Sequence, residues 1–130
     1  MNKELNENEK LLEDLLKTEP HKFPVKGSLI KLGITKKQGV YLIYNPKDKI
    51  VHVGRTQRGK FGLRQRLNNH LYGQSSFVIN YLNGDGGKLR ARYKFKLIII
   101  KDERKRALLE AFAIGKLCPI HLGLGLGMER

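Results

Sequence analysis

Apolar residues recur along this chain with two different periods, and the switches between them divide it into elements. Leu5, Leu12, Leu15 and Leu16 fall near one face of residues 3–17, with Glu and Lys elsewhere. That spacing predicts an amphipathic helix ending before Pro20. Such a helix packs on the domain, serves a partner or covers a substrate groove, and packing is the plainest reading. Residues 21–37 carry Pro24, Gly27 and Gly33 among short apolar pairs, which reads as a connector with one short extended piece.

The period then changes. Val40 to Tyr44 and Lys49 to Val53 are rich in β-branched and aromatic residues, with Asn45-Pro46-Lys47-Asp48 between them. Two such runs around a turn sequence predict a β-hairpin. A polar loop, Arg55 to Gly62, leads to Leu63, Leu67 and Leu71, whose four-residue spacing predicts a helix with a core-facing stripe. Ser75 and Ser76 can cap a further short helix, Phe77 to Leu82, stopped at Asn83-Gly84. Tyr93 to Lys101 reads as a third strand, its apolar run Leu97 to Ile100 suiting a central position. Glu103 to Leu117 is the last long helix, ended by Pro119. The order predicts an α/β chain of the α+β type: a small three-stranded antiparallel sheet flanked by helices, with an extra N-terminal helix. The expected divisions are an acidic helix over 1–19, a connector over 20–38, the principal domain over 39–122 and a glycine-rich tail over 123–130.

Charge changes the picture most. The formal net charge is +14 over 130 residues. Residues 1–19 hold three lysines against six carboxylates, a balance of −3, and the remainder holds 23 Lys and Arg against six, or +17. A domain this basic attracts polyanions, nucleic acid foremost. Its apolar stretches are too short to span a bilayer. The acidic N-terminus lacks the apolar segment of a secretory signal. Cys118, the lone cysteine, excludes an internal disulfide and any multi-cysteine metal site. The expectation is a soluble, cytoplasmic protein, nucleoid-associated when on DNA, with Cys118 in the core.

Several residues could carry chemistry. Tyr41 and His52 are eleven residues apart across the hairpin, close enough to meet. Arg66 and His70, four apart, share one helix face beside the leucine stripe. Glu110 is the one polar side chain in Ala107 to Ile114. A helix apolar nearly all round is largely buried, and a buried carboxylate costs several kcal/mol unless it is paired, hydrogen-bonded or metal-bound. An ion pair with an arginine and a site for Mg²⁺, which keeps several waters of its own, are the two readings.

Gly39-Val40-Tyr41, then Val51-His52-Val53-Gly54-Arg55-Thr56, then Arg66-Leu67-Asn68-Asn69-His70, then Glu110 resemble the GIY-YIG endonucleases in order and spacing. The resemblance runs from about Gly39 to Pro119. It implies a three-stranded antiparallel sheet surrounded by helices and a metal-dependent endonuclease. By position, Tyr41 resembles the motif tyrosine, a general base or nucleophile-positioning group. Arg66 resembles the arginine that neutralises the scissile phosphate. His70 resembles the histidine that organises nucleophile or phosphate, and Glu110 the carboxylate that holds the divalent ion, Mg²⁺ or Mn²⁺. The sequence departs from the family pattern twice. His52 stands where the family usually has tyrosine, and the asparagine usual after the last helix has no counterpart in Leu117 to Gly123.

The resemblance implies hydrolysis of double-stranded DNA to 5′-phosphate and 3′-hydroxyl ends, with a homodimer or sequential nicks needed to cut both strands. The catalytic candidates are Tyr41, His52, Arg66, His70 and Glu110, and the general base is Tyr41, His52 or His70. Arg55, Arg58, Lys60 and Arg64 after the hairpin, and Lys88, Arg90 and Arg92 beside Tyr93 and Lys94, are the candidate nucleic-acid contacts, suited to positioning the backbone. The rival class is a non-catalytic basic module that binds DNA or RNA. Gly123-Leu124-Gly125-Leu126-Gly127 does not read as a phosphate loop, since no helix follows it.

Overall fold

A computed structural model describes residues 2–57 and 62–122 of the chain. The elements are α1 (Lys3–Lys17), β1 (His21–Lys22), β2 (Gly39–Tyr44), β3 (Ile50–Arg55), α2 (Gly62–Leu71), α3 (Ser76–Tyr81), β4 (Lys94–Ile99) and α4 (Glu103–Leu117), with single 3₁₀ turns at Leu29–Leu32 and Gly86–Leu89. Arg58, Lys60 and the tail 123–130 lie outside the described residues.

The sheet is antiparallel and has four strands, in the order β1-β4-β2-β3, rather than the three expected. The addition is β1, whose two residues pair His21 with Phe95 and Lys22 with Lys94. It lies in the stretch read as a connector. β4 therefore lies between two strands, yet β1 covers only its first residues. Of β4 only Phe95 is buried, and Ile99 is 48% exposed. The fully enclosed strand is β2, buried from Gly39 to Ile43.

Alternation along β2 sorts the core into two layers, because successive side chains point to opposite faces. Tyr41 and Ile43 pack with Leu63, Leu67 and Leu71 of α2, Phe77 and Val78 of α3, and Phe95. Val40 and Leu42 pack with Val53, with Leu12 and Leu15 of α1, and with Leu109 and Ala113 of α4. The acidic α1 thus lies on the face opposite Tyr41 and packs on α4, with Glu4 on Arg104 and Glu7 on Lys105.

Side-chain caps set the helix starts, that of Ser75 as the sequence suggests. Asn2 accepts from Glu4 N, Ser75 from Val78 N and Asp102 from Lys105 N. In the hairpin turn, Asn45 Oδ1 accepts from the backbone of Lys47 and Lys49 at 2.9 and 3.0 Å. α4 corrects the sequence reading: it is not buried all round, and its buried residues are Arg106, Leu109 and Ala113. Cys118, expected in the core, is exposed at the left-handed C-cap of this helix.

Candidate active site

Strand register brings the chemistry to one end of the sheet. Tyr41 pairs with Gly54, and Ile43 with His52. The rings of Tyr41 and His52 are therefore diagonal neighbours, 5.9 Å apart, as the hairpin spacing implied. Two glycines make this end possible by close approach. A Cβ on Gly39 would run into the carbonyl of Ile98, and one on Gly54 into the ring and hydroxyl of Tyr41. The bare backbone of Gly54 is what lets the Tyr41 ring lie across β3.

Tyr41 is fully buried, and its hydroxyl is 2.7 Å from Nε2 of His70. The other ring nitrogen of His70, Nδ1, is 2.6 Å from Oγ of Ser75, which also accepts from Val78 N. Burial pushes the Tyr41 hydroxyl up to about 12, opposed by the positive charge of nearby Arg66 and reinforced by the charge of Glu110. Burial holds His70 down to about 3, with Arg66 and His121 adding to the effect. At neutral pH this pair is a phenol against a neutral imidazole.

Beside it lies a cavity of about 260 Å³ lined by Gln38, Arg55, Thr56, Gln57, Gly62, Gln65, Arg66 and Asn69. Arg66 is half-buried on α2. Arg55, at the end of β3, donates from Nε to Oε1 of Glu110 at 3.0 Å. The Glu110 side chain is 26% exposed, so the expectation of a wholly buried carboxylate does not hold. Of the two readings of Glu110, the ion pair with an arginine is observed.

Of the five catalytic candidates only Arg66 is among the residues lining the cavity; Tyr41, His52, His70 and Glu110 are not. His52 lies in the core behind Tyr41 and His70. It is 5% exposed, stacks on Phe77 at 4.8 Å between ring centres, and has its Nδ1 3.0 Å from Nδ1 of His121. Its Nε2 is buried without a hydrogen-bond partner. Burial lowers its pKa well below the usual histidine range, helped by His70, His121 and Arg66. His121 was not singled out from sequence. It is buried, its backbone N–H donates to Val51 O, and burial lowers its pKa too. Its place shortly after the last helix was the available signal.

The basic candidates divide. Arg64 donates from Nε to Ile34 O at 2.8 Å and borders a neighbouring cavity with Ile30, Lys36, Gln65 and Asn68. Arg90 donates to the carbonyls of Pro24 and Gly27 and lies 5.8 Å from the Tyr72 ring centre. Lys88 and Arg92 are exposed, and Lys94 pairs with Asp48. Lys94 pairs in register with Tyr44, whereas Ile99 pairs with Gly39. Lys94 thus lies at the far end of β4, roughly 17 Å from the Gly39 end at about 3.4 Å per residue. Among the described residues no group of three His, Cys, Asp or Glu is arranged to hold a metal ion, and no helix is long and apolar enough to cross a membrane.

No protein-family profile matches the chain, and no curated protein matches it. Solved structures similar to it include GIY-YIG endonuclease domains. One is the GIY-YIG N-terminal endonuclease domain of UvrC from Thermotoga maritima bound to its catalytic divalent cation, magnesium. It is 25% identical, covers 65% of this chain and 82% of that one, and has a TM-score of 0.48. A tyrosine-to-phenylalanine point mutant of that domain is 22% identical over 85% of this chain and 92% of that one, also with a TM-score of 0.48.

Proposed function

We propose that this chain is a metal-dependent endonuclease of the GIY-YIG type, hydrolysing double-stranded DNA to 5′-phosphate and 3′-hydroxyl ends. One observation carries the reading: the Tyr41 hydroxyl, bonded to buried His70, lies within reach of the charge of Arg66, which lines a polar cavity whose other arginine, Arg55, holds Glu110. Mere attraction of DNA would not require a buried Tyr–His pair joined to that cavity.

Each residue has a task that follows from its state. Arg66 grips a phosphate oxygen pair through a planar fork that lysine cannot reproduce. His70, neutral at physiological pH, accepts the Tyr41 proton in a hydrogen bond and fixes the direction of the hydroxyl. Ser75 fixes His70 in turn. The free lone pair of Tyr41 then orients an attacking water for in-line displacement. Removing the Tyr41 proton outright is costly with a value of about 12, so orientation is its task.

A divalent ion, Mg²⁺ or Mn²⁺ in its place, fits the donor set. Glu110 is a single, quarter-exposed carboxylate, which suits an ion that retains most of its own waters. When bound there, the ion supplies Lewis acidity and neutralises charge on the leaving 3′ oxygen. With one such site per chain, cutting both strands takes a homodimer or two nicks, and the protein works in the cytoplasm on nucleoid DNA. The Arg55–Glu110 ion pair favours the rival, a non-catalytic basic module in which the carboxylate is already satisfied.

A supercoiled plasmid incubated with Mg²⁺, with and without chelator, separates the two readings. Cleavage that the chelator abolishes, that Glu110→Ala removes while DNA binding persists, and that leaves 5′-phosphate ends supports the nuclease. Full cleavage by Glu110→Ala overturns the metal assignment, and binding without any cleavage supports the rival.

A further inference from the structure

Arg106 reads in sequence as one more surface charge near the start of a helix, yet it is only 3% exposed. Its guanidinium donates to main-chain carbonyls on two separate segments. Nε reaches Thr56 O at 3.0 Å and Nη2 reaches Gln57 O at 3.5 Å. Nη1 reaches Ile100 O at 3.0 Å and Lys101 O at 2.7 Å. A buried guanidinium with its donors spread over four carbonyls fixes both segments at once, because each carbonyl left without it would lose its partner out of water.

Those segments are walls of the cavity. Thr56 and Gln57 line it directly and follow Arg55. Ile100, clamped through its carbonyl, donates its own N–H to the carbonyl of Gln38, another lining residue, at 2.9 Å. Thr56 extends the connection to the strand that carries Tyr41. Its Oγ1 accepts from Gly39 N at 2.9 Å, and its N–H donates to Gly39 O at 3.0 Å. Arg106 and Glu110 are four residues apart on α4, one turn from each other on the same side.

We propose that Arg106 is a positioning residue for this site: through Thr56 and Ile100 it sets where Arg55 and the Gly39–Tyr41 strand stand relative to Glu110. The catalytic half of the proposal rests on the nuclease reading; the geometric half does not. Lysine cannot replace Arg106, since one ammonium does not span carbonyls on two segments.

The test uses the full-length chain, with the Arg55 Nε–H resonance as a probe of its ion pair. Arg106→Lys is expected to lower kcat for plasmid nicking about 10- to 100-fold, with KM changed less than about threefold, as for a misplacement of about 1 Å. Its Arg55 Nε–H signal should move toward the free-arginine position and exchange faster with solvent. Thr56→Val, close in shape and lacking only the hydroxyl link to Gly39, is expected to lower kcat about 3- to 10-fold by the same misplacement. It keeps the test decisive should Arg106→Lys fail to fold. Leu12→Ala, which destabilises the opposite face, should leave both readouts unchanged below its melting temperature. The proposal is overturned if the two site variants keep wild-type kcat and Arg55 signal, or if Leu12→Ala alters both as strongly. Should the wild-type chain cleave no DNA, the nuclease reading falls and the Arg55 signal alone decides the geometric half.

Discussion

The hydroxyl of Tyr41 occupies the space in which a side chain on Gly54 would begin. The two residues are register partners on β2 and β3, so a Cβ at position 54 is accommodated only by moving the buried Tyr41 ring. Gly54→Ala is therefore expected to push the Tyr41 ring off His70, at a cost of about 1–3 kcal/mol for overpacking a filled core. Urea denaturation measures the cost, and plasmid nicking should fall with it. An alanine variant with wild-type stability and cleavage would show that the ring has room to spare.

Acid should unfold this protein through its imidazoles. His70 titrates at about 3 in the fold against an ordinary 6.5, so the unfolded chain binds more protons between those values. The stability it contributes is complete above about pH 6.5 and is lost as pH falls toward 3. His52 and His121 are shifted in the same direction. The unfolding free energy from urea denaturation should fall steeply between pH 6.5 and 4, with a slope above the roughly 1.4 kcal/mol per pH unit of a single proton. A free energy flat across that interval would mean that the buried histidines are protonated without strain.

Much of this arrangement was legible beforehand, and the exceptions have physical causes. Helix 3–17 was readable because its leucines recur on one face and Pro20 stops it, and helix 103–117 because a long run of helix-compatible residues ends before Pro119. The Tyr41–His52 approach followed from hairpin pairing alone. A short extended piece was expected between residues 21 and 37, but its pairing with β4 was not readable, since two residues carry no period. The burial of Glu110 was overestimated because the apolar surface of α4 is shared between the sheet and α1, and the arginine of its expected ion pair could not be named because Arg55 comes from another element. Arg106 and His121 left little trace for a related reason. An arginine that binds carbonyls and a histidine that binds another histidine are defined by tertiary partners, which no local spacing reveals.

Arg55 and Glu110 form a quarter-exposed contact in which a guanidinium already occupies one carboxylate oxygen. A cation at that distance opposes a second cation on the same group. Arg55→Gln is therefore expected to raise the Mn²⁺ affinity of the chain several-fold, read by electron paramagnetic resonance without any DNA present. Cleavage should nonetheless fall, because the cavity loses a phosphate-facing charge. Unchanged or weaker Mn²⁺ binding would place the ion away from Glu110.

The last prediction concerns which aromatic partner of Tyr41 matters. His52 and His70 both adjoin its ring, at 5.9 and 5.5 Å between centres, but only His70 meets its hydroxyl. His52 instead spends one nitrogen on His121 and buries the other without a partner. Replacing the pair together, His52→Phe with His121→Leu, removes that unpartnered nitrogen and strands no acceptor. Exchanging both partners for apolar groups should change stability by no more than about 1 kcal/mol. Nicking should stay within about threefold of wild type, whereas His70→Phe should lose it about 100-fold or more, the range of a lost acid–base or positioning group. Loss of cleavage in the double variant, with stability retained, would instead assign the proton transfer to His52.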